Sequence, residues 1–187
     1  GSAAVPRLVS WTGVLLPLAI LGQIALGALV AGIDAGLASD TWPLMVGALV
    51  PEGLLVLSPG WLNAFENPLA VQFNHRLGGY LVLLLALVNA MAAWRTAGRP
   101  LASAIFALVV LQAVTGIGVV VMQVPPLLAG THQVMAAITL WVAVVHATRL
   151  AADPVRAATP SLATRKMGWV RRTGRLAPGV TRPRRSV

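Results

Sequence analysis

The 187-residue chain contains no cysteine, which removes disulfides, thiolate metal sites and thiolate nucleophiles together. Charge is scarce as well: 10% of the residues are Asp, Glu, Lys or Arg, against about 25% in an ordinary soluble domain, and only five are acidic. None of the carboxylates lies inside an apolar run, and no Ser-His-Asp set, phosphate-binding loop or metal-hydrolase signature is present. Abundance lies elsewhere, in the 57% of apolar residues and the mean hydropathy of +0.81. Those values exclude a soluble globular enzyme and indicate an integral membrane protein whose solvent is the bilayer.

Four runs reach the roughly 20 residues needed to cross about 30 Å of hydrocarbon, near 10–33, 68–93, 101–123 and 126–149. No run alternates, and lipid admits only helices or closed barrels, so the expected fold is all-α, an integral membrane four-helix bundle over 10–150. Gln123-Val124-Pro125-Pro126 forces the last two helices into a tight antiparallel hairpin. A net charge of +9 invites a nucleic-acid partner, but ten of the fourteen Lys and Arg lie at or beyond Arg149, so none is expected. Arg7, Arg95, Arg99 and the tail share one side of an alternating topology, which predicts cytoplasmic N- and C-termini. Residues 1–9 read as a short cytoplasmic segment or an expression scar. Residues 151–187 read as a basic cytoplasmic tail, disordered and in contact with anionic membrane lipid. The connection 34–67 holds Asp34, Asp40, Glu52 and Glu66 without a cation and belongs outside, where Trp42 and Trp61 suit an interfacial cap.

Two of the three histidines lie inside membrane runs at matching depth, His75 and His132 each about six residues from the start of its helix. A single intramembrane histidine is ordinarily a satisfied interhelical hydrogen bond. Two at one level on parallel helices fit a bis-imidazole iron site, with Gly79 and Ala136 one turn deeper as clearance for a porphyrin. A proton relay or a quinone-binding pair are the alternatives. Arg76 adjoins His75 and suits an outward-pointing propionate, or simply snorkels to the interface. Gln72, Asn74 and Gln133 flank the pair and could fix the imidazole tautomers or serve as plain interhelical bonds. His146 reads as interfacial and structural. Gln23, Gln112 and Thr115 are expected to bond across the bundle, and Gly27/Ala31 with Ala28/Gly32 to form packing seams. Gln23 precedes Gly27 as Gln112 precedes Gly116, and His75 precedes Gly79 as His132 precedes Ala136, a pattern compatible with a duplicated helical hairpin.

The stretches Gly27-Ala-Leu-Val-Ala-Gly-Ile-Asp-Ala-Gly36, Asp40-Thr-Trp-Pro-Leu-Met45, Asn63-Ala-Phe-Glu-Asn67, Val71-Gln-Phe-Asn-His-Arg76, Leu111-Gln112 and His132-Gln133 together resemble the C-terminal half of heme A synthase, over about residues 20–150. The resemblance implies one half of an eight-helix protein built from two four-helix bundles, which oxidises the C8 methyl of heme O to the formyl group of heme A. It implies that this half binds one heme b near the outer side through His75 and His132, with Arg76 following the first ligand, and relays electrons. No catalytic residue is implied here, because the substrate heme belongs to the other half. The expected partners are that N-terminal half, or a second copy in a homo-oligomer, and the farnesyltransferase that makes heme O. The setting is a bacterial cell membrane or a mitochondrial inner membrane. Absence of an initial Met favours a fragment over a half-size homologue. The chain departs from those members that carry cysteines in outer loops. A non-catalytic membrane cytochrome b passing electrons between quinol and an outer partner, and a heme-free scaffold, are the competing expectations.

Overall fold

A computed structural model describes the backbone of residues 6–158 and the side chains of residues 6–152. Among the described residues five helices follow in order: α1 (Arg7–Gly32), α2 (Asn63–Glu66), α3 (Pro68–Ala93), α4 (Arg99–Val121) and α5 (Pro126–Ala158), with 3₁₀ turns at Ala35–Leu37 and Gly60–Leu62. Four of them, α1, α3, α4 and α5, are long and apolar enough to cross a membrane. The expected all-α membrane bundle is the architecture observed.

Helix boundaries follow local chemistry. Pro6 is held extended at ψ 139°, and α1 starts directly after it, so the expected N-terminal segment 1–9 loses its last three residues to the helix. Asn67 caps α3: its side chain accepts from the N–H groups of Leu69 and Ala70 while Pro68 takes the first helical position. α4 stops at Val121 because Gln123 and Val124 both adopt left-handed φ of 59°, the sharp reversal that Pro125 and Pro126 follow. α5 continues to Ala158, past the bundle end expected at 150. The rest of the basic tail, 159–187, lies outside the described residues.

Apolar packing is concentrated toward the end of the bundle that carries the N-terminus and the α3–α4 connection. Leu16 and Ile20 from α1, Val82 and Ala86 from α3, Ile105 and Val109 from α4 and Ala143 from α5 form one buried cluster, and Val9, Ala93, Ala102 and Leu150 form a second below it. At the opposite end the burial changes character. No residue is buried in 21–34, in 73–81 or in 110–138, and these three stretches surround the level of His75 and His132.

One polar network crosses the closed end. His146 donates from Nε2 to Asn89 Oδ1 at 3.1 Å, Asn89 donates to Thr12 Oγ1 at 2.7 Å, and Thr12 donates to the Leu8 carbonyl at 2.7 Å. It ties α1, α3 and α5 together. His146, expected at an interface, is instead sealed at 1% exposure, and it is structural as expected. Gly13 lies against this ring because a Cβ there would meet Leu150 and stand 3.5 Å from His146 Nε2. Asn89→Ala strands the His146 donor in an apolar interior, at a cost of about 1–3 kcal/mol. The expected result is a lower thermal unfolding midpoint in detergent, with Asn89→Gln less harmful than Asn89→Ala.

Candidate functional site

The loop end of the bundle is built twice from the same parts. Gln23 of α1 donates from Nε2 to the His75 carbonyl of α3 at 2.8 Å, and Gln112 of α4 donates from Nε2 to the His132 carbonyl of α5 at 3.1 Å. Four residues after each glutamine comes a glycine that receives the imidazole. A Cβ built on Gly27 would stand 3.0 Å from His75 Cε1, and one built on Gly116 would stand 3.0 Å from His132 Cε1. The glycines therefore leave space for the Cε1 corner of each ring, a role that the reading of Gly27 as part of a packing seam did not include. Gly32, read with Ala28 as a second packing seam, has nothing within 4 Å of where a Cβ would be.

His75 follows Pro68 by seven residues and His132 follows Pro126 by six, so their depths differ by one helical rise, about 1.5 Å. Both are half-buried. Each ring has one engaged nitrogen. Nδ1 of His75 lies 3.1 Å from Gln23 Nε2, and Nδ1 of His132 lies 3.0 Å from Thr115 Oγ1. No protein group among the described residues hydrogen-bonds Nε2 of either ring. The expected cross-bundle bonds of Gln23, Gln112 and Thr115 thus converge on the two histidines. The signal for this was in the sequence, in the common Gln-to-Gly spacing set beside the common histidine depth.

The remaining expected site residues are placed differently. Gln72 is buried and donates to the carbonyls of Gly36 and Ser39, both at 3.0 Å, and reaches no imidazole. Arg76 donates to the Thr41 carbonyl at 2.9 Å, the Ser39 carbonyl at 3.3 Å and Gln72 Oε1 at 3.4 Å. Its guanidinium thus meets no carboxylate among the described residues and instead fastens the loop. No hydrogen bond links Asn74 or Gln133 to either ring among the described residues, and Gln133 is exposed. Gly79 packs beside Gln23, where a Cβ would stand 3.4 Å from Nε2, while Ala136 is half-buried on α5.

The long connection is ordered by these same contacts. Asn63 accepts from the Leu57 N–H and donates to the carbonyls of Leu57 and Gly60, and Asn67 donates to the Gly53 carbonyl and to Asn63 Oδ1. Trp42, Leu49, Val50, Leu55, Val56, Trp61 and Phe65 remain exposed on it.

Chemically, the site offers two neutral-capable imidazoles with free Nε2 atoms in an unpacked region. No group of three His, Cys, Asp or Glu side chains gathers among the described residues, so a bare ion needing three or four protein ligands has no seat. A planar macrocyclic iron needs two axial nitrogens and flat clearance. The glycines beside the rings, the stretches without buried side chains and the orphaned buried oxygens Gln23 Oε1 and Gln112 Oε1 fit that demand.

Comparison with known proteins gives a single direction. The sequence pattern of the family described as cytochrome oxidase assembly protein, COX15-CtaA, matches residues 2–144. Proteins named heme A synthase are similar: that of Chelativorans sp. (strain BNC1) is 54% identical over 136 residues, 70% of this chain and 37% of that protein. Those of Sinorhizobium medicae and Allorhizobium ampelinum are each 51% identical, over 67% and 73% of this chain and 35% and 38% of theirs. The chain therefore spans little more than a third of the length of these curated relatives. No solved structure matches it.

Arg76→Ala removes two hydrogen bonds between α3 and the loop, each worth about 1 kcal/mol. Limited proteolysis within 34–67 should accelerate by an order of magnitude or more, and Gln72→Ala should act in the same direction.

Proposed function

The chain belongs to the heme A synthase family of cytochrome oxidase assembly proteins, and from that premise we propose that it is the part of the enzyme that holds one heme b between His75 and His132. The observation that carries the reading is the doubled Gln-Gly-His arrangement in the one zone of the bundle that lacks buried side chains.

The residues divide the task among them. Gly27 and Gly116 let the rings approach the neighbouring helices closely, and Gln23 and Gln112 fix the height of each histidine by holding its backbone carbonyl. Arg76, anchored at the loop end, is the cation for an outward carboxylate, and the loop it fastens lies at that end of the site. Iron with two imidazole ligands is six-coordinate and supplies one-electron transfer rather than substrate binding. In the complete protein, oxidation of the heme O methyl to the formyl group of heme A falls to the partner half or to a second copy, and no catalytic residue is assigned here. Cytoplasmic termini and a heme near the outer side complete the reading.

A two-heme electron-carrying cytochrome would need a further pair of imidazoles. His146 is the only other histidine, and its Nε2 is committed to Asn89. That observation favours one heme per chain.

The test is the absorption spectrum of the detergent-purified chain supplied with heme, oxidised and dithionite-reduced, with pyridine extraction to count the heme. One low-spin heme b per chain is expected. His75→Ala and His132→Ala should each abolish the low-spin signature, while Gly27→Val and Gly116→Val should lower heme content about tenfold by tilting a ring. Full heme content and an unchanged low-spin spectrum in either histidine variant would sink the assignment.

A further inference from the structure

The two hairpins repeat closely enough that their differences can be read position by position. Three residues after the glutamine stands Leu26 in α1 but Thr115 in α4. Three and four residues after the histidine stand Gly78 and Gly79 in α3 but Met135 and Ala136 in α5. These substitutions change what each Nδ1 meets.

In the first hairpin the Gln23 carboxamide lies directly over the glycine pair. A Cβ on Gly78 would collide with Gln23 Oε1, and one on Gly79 would stand 3.4 Å from Nε2. So placed, the amide reaches both the His75 carbonyl at 2.8 Å and the ring nitrogen at 3.1 Å. A carbonyl can only accept, which fixes the nearer group as the NH2 end of the carboxamide. Its second hydrogen is then directed at His75 Nδ1, which must present a lone pair. The hydrogen of this neutral imidazole sits on Nε2.

The second hairpin has the opposite polarity. Gln112 donates only to the His132 carbonyl, and Nδ1 of His132 meets Thr115 Oγ1 at 3.0 Å. That hydroxyl lies 3.0 Å from the Leu111 carbonyl and 3.1 Å from the Gln112 carbonyl, so its single hydrogen is directed into its own helix. Its lone pairs accept from Nδ1–H of His132. The hydrogen here sits on Nδ1 and the Nε2 lone pair is bare.

We propose that Gln23 and Thr115 are opposed positioning residues, which hold the free chain's imidazoles in different tautomers and make His132 the ready iron ligand and His75 the ligand that rearranges. The ligand part of this statement rests on the heme reading above; the tautomer part does not. An imidazole binds a metal through Nε2 only when its hydrogen is on Nδ1. His132 meets that condition in the free chain. His75 must release a proton from Nε2 to water and take one up at Nδ1, with no net change in charge. Accepting Nδ1–H then requires the Gln23 carboxamide to turn and give up its bond to the His75 carbonyl, bringing Oε1, buried and unpaired in the present arrangement, to the ring nitrogen; His132 needs no such exchange. The Gly78-Gly79 pair leaves room for that turn. The order of ligation follows: His132 first, His75 second.

The experiment uses the full chain labelled with ¹⁵N-histidine, purified heme-free in detergent under alkaline conditions where the imidazoles are neutral. Three histidines give three pairs of ring nitrogen signals. His75 is expected to show a bare Nδ1 and a protonated Nε2, and His132 the reverse. Gln23→Leu should bring only the His75 pair to the averaged values of a free imidazole, and Thr115→Val only the His132 pair. His146, bonded through Nε2–H to Asn89, reports in each sample that the bundle is folded. The same tautomer at both histidines in the unsubstituted chain overturns the proposal, with or without folded variants, as does a His75 pattern unmoved by Gln23→Leu in a folded sample. Adding hemin separates the two readings. Opposite tautomers with no hemin uptake defeat the heme assignment alone, whereas hemin uptake after identical tautomers defeats this proposal alone.

Discussion

A polar side chain inside a bilayer must find its partner within the protein, and in this chain two glutamines meet that constraint by grasping the backbone of a neighbouring helix at the residue that matters. The bond from Gln23 to the His75 carbonyl, repeated from Gln112 to His132, fixes the register of α1 against α3 and of α4 against α5. Helix packing in lipid has no hydrophobic driving force to fall back on, so a directional bond of this kind carries more of the specificity than it would in water. Each imidazole is thereby held at a set height over a glycine, and the two heights agree to within one helical rise.

Around that register the bundle divides into a closed end and an open one. Interlocking Leu, Ile, Val and Ala side chains fill the end near the N-terminus, and Thr12, Asn89 and Nε2 of His146 are joined there in one chain of hydrogen bonds. At the other end the helices present Gly, Ala and Val with little buried, and stiffness comes instead from loop carbonyls pinned by Gln72 and Arg76 and from the Asn63–Asn67 pair. A bundle packed throughout would leave no place for a flat group between its histidines. One open throughout would not hold the histidines apart at a defined spacing.

Much of this was legible in the sequence, and the misses have physical causes. Span number, span order and the equal depth of His75 and His132 follow from hydropathy and counting, because in lipid the length of a helix is dictated by the bilayer. The Gln-to-Gly interval was visible, yet its meaning was hidden. Which helix a side chain faces depends on rotation about the helix axis, and no periodicity reports that when every face is apolar. Gln72 and Arg76 were drawn toward the histidine by adjacency in sequence. Arg76 diverges from His75 by about 100° around the helix, while Gln72, three residues before it, lies nearer in azimuth but one turn closer to the loop, and both bond to loop carbonyls. Residue Gly79 likewise lies one turn from His75 as expected, but it serves the glutamine that holds the ring. The end of α5 was set too early because Ala151 and Ala152 continue a helix as readily as any apolar residue.

The two hairpins repeat one arrangement, and the positions at which they differ are the ones that set what each Nδ1 meets. A symmetric pair of hairpins gives two imidazoles of the same kind, whose Nδ1 atoms would meet the same group. Threonine in place of leucine at the fourth residue of one Gln motif, and Gly78-Gly79 in place of Met135-Ala136 in the other hairpin, change the group beside Nδ1 while the backbone bond and the glycine beside the ring are the same in both. Small changes suffice because the register is already fixed by the two glutamines: with the ring height set, the identity of one neighbouring atom decides the tautomer. A site built this way can vary the character of one ligand without disturbing the other, and without moving a helix.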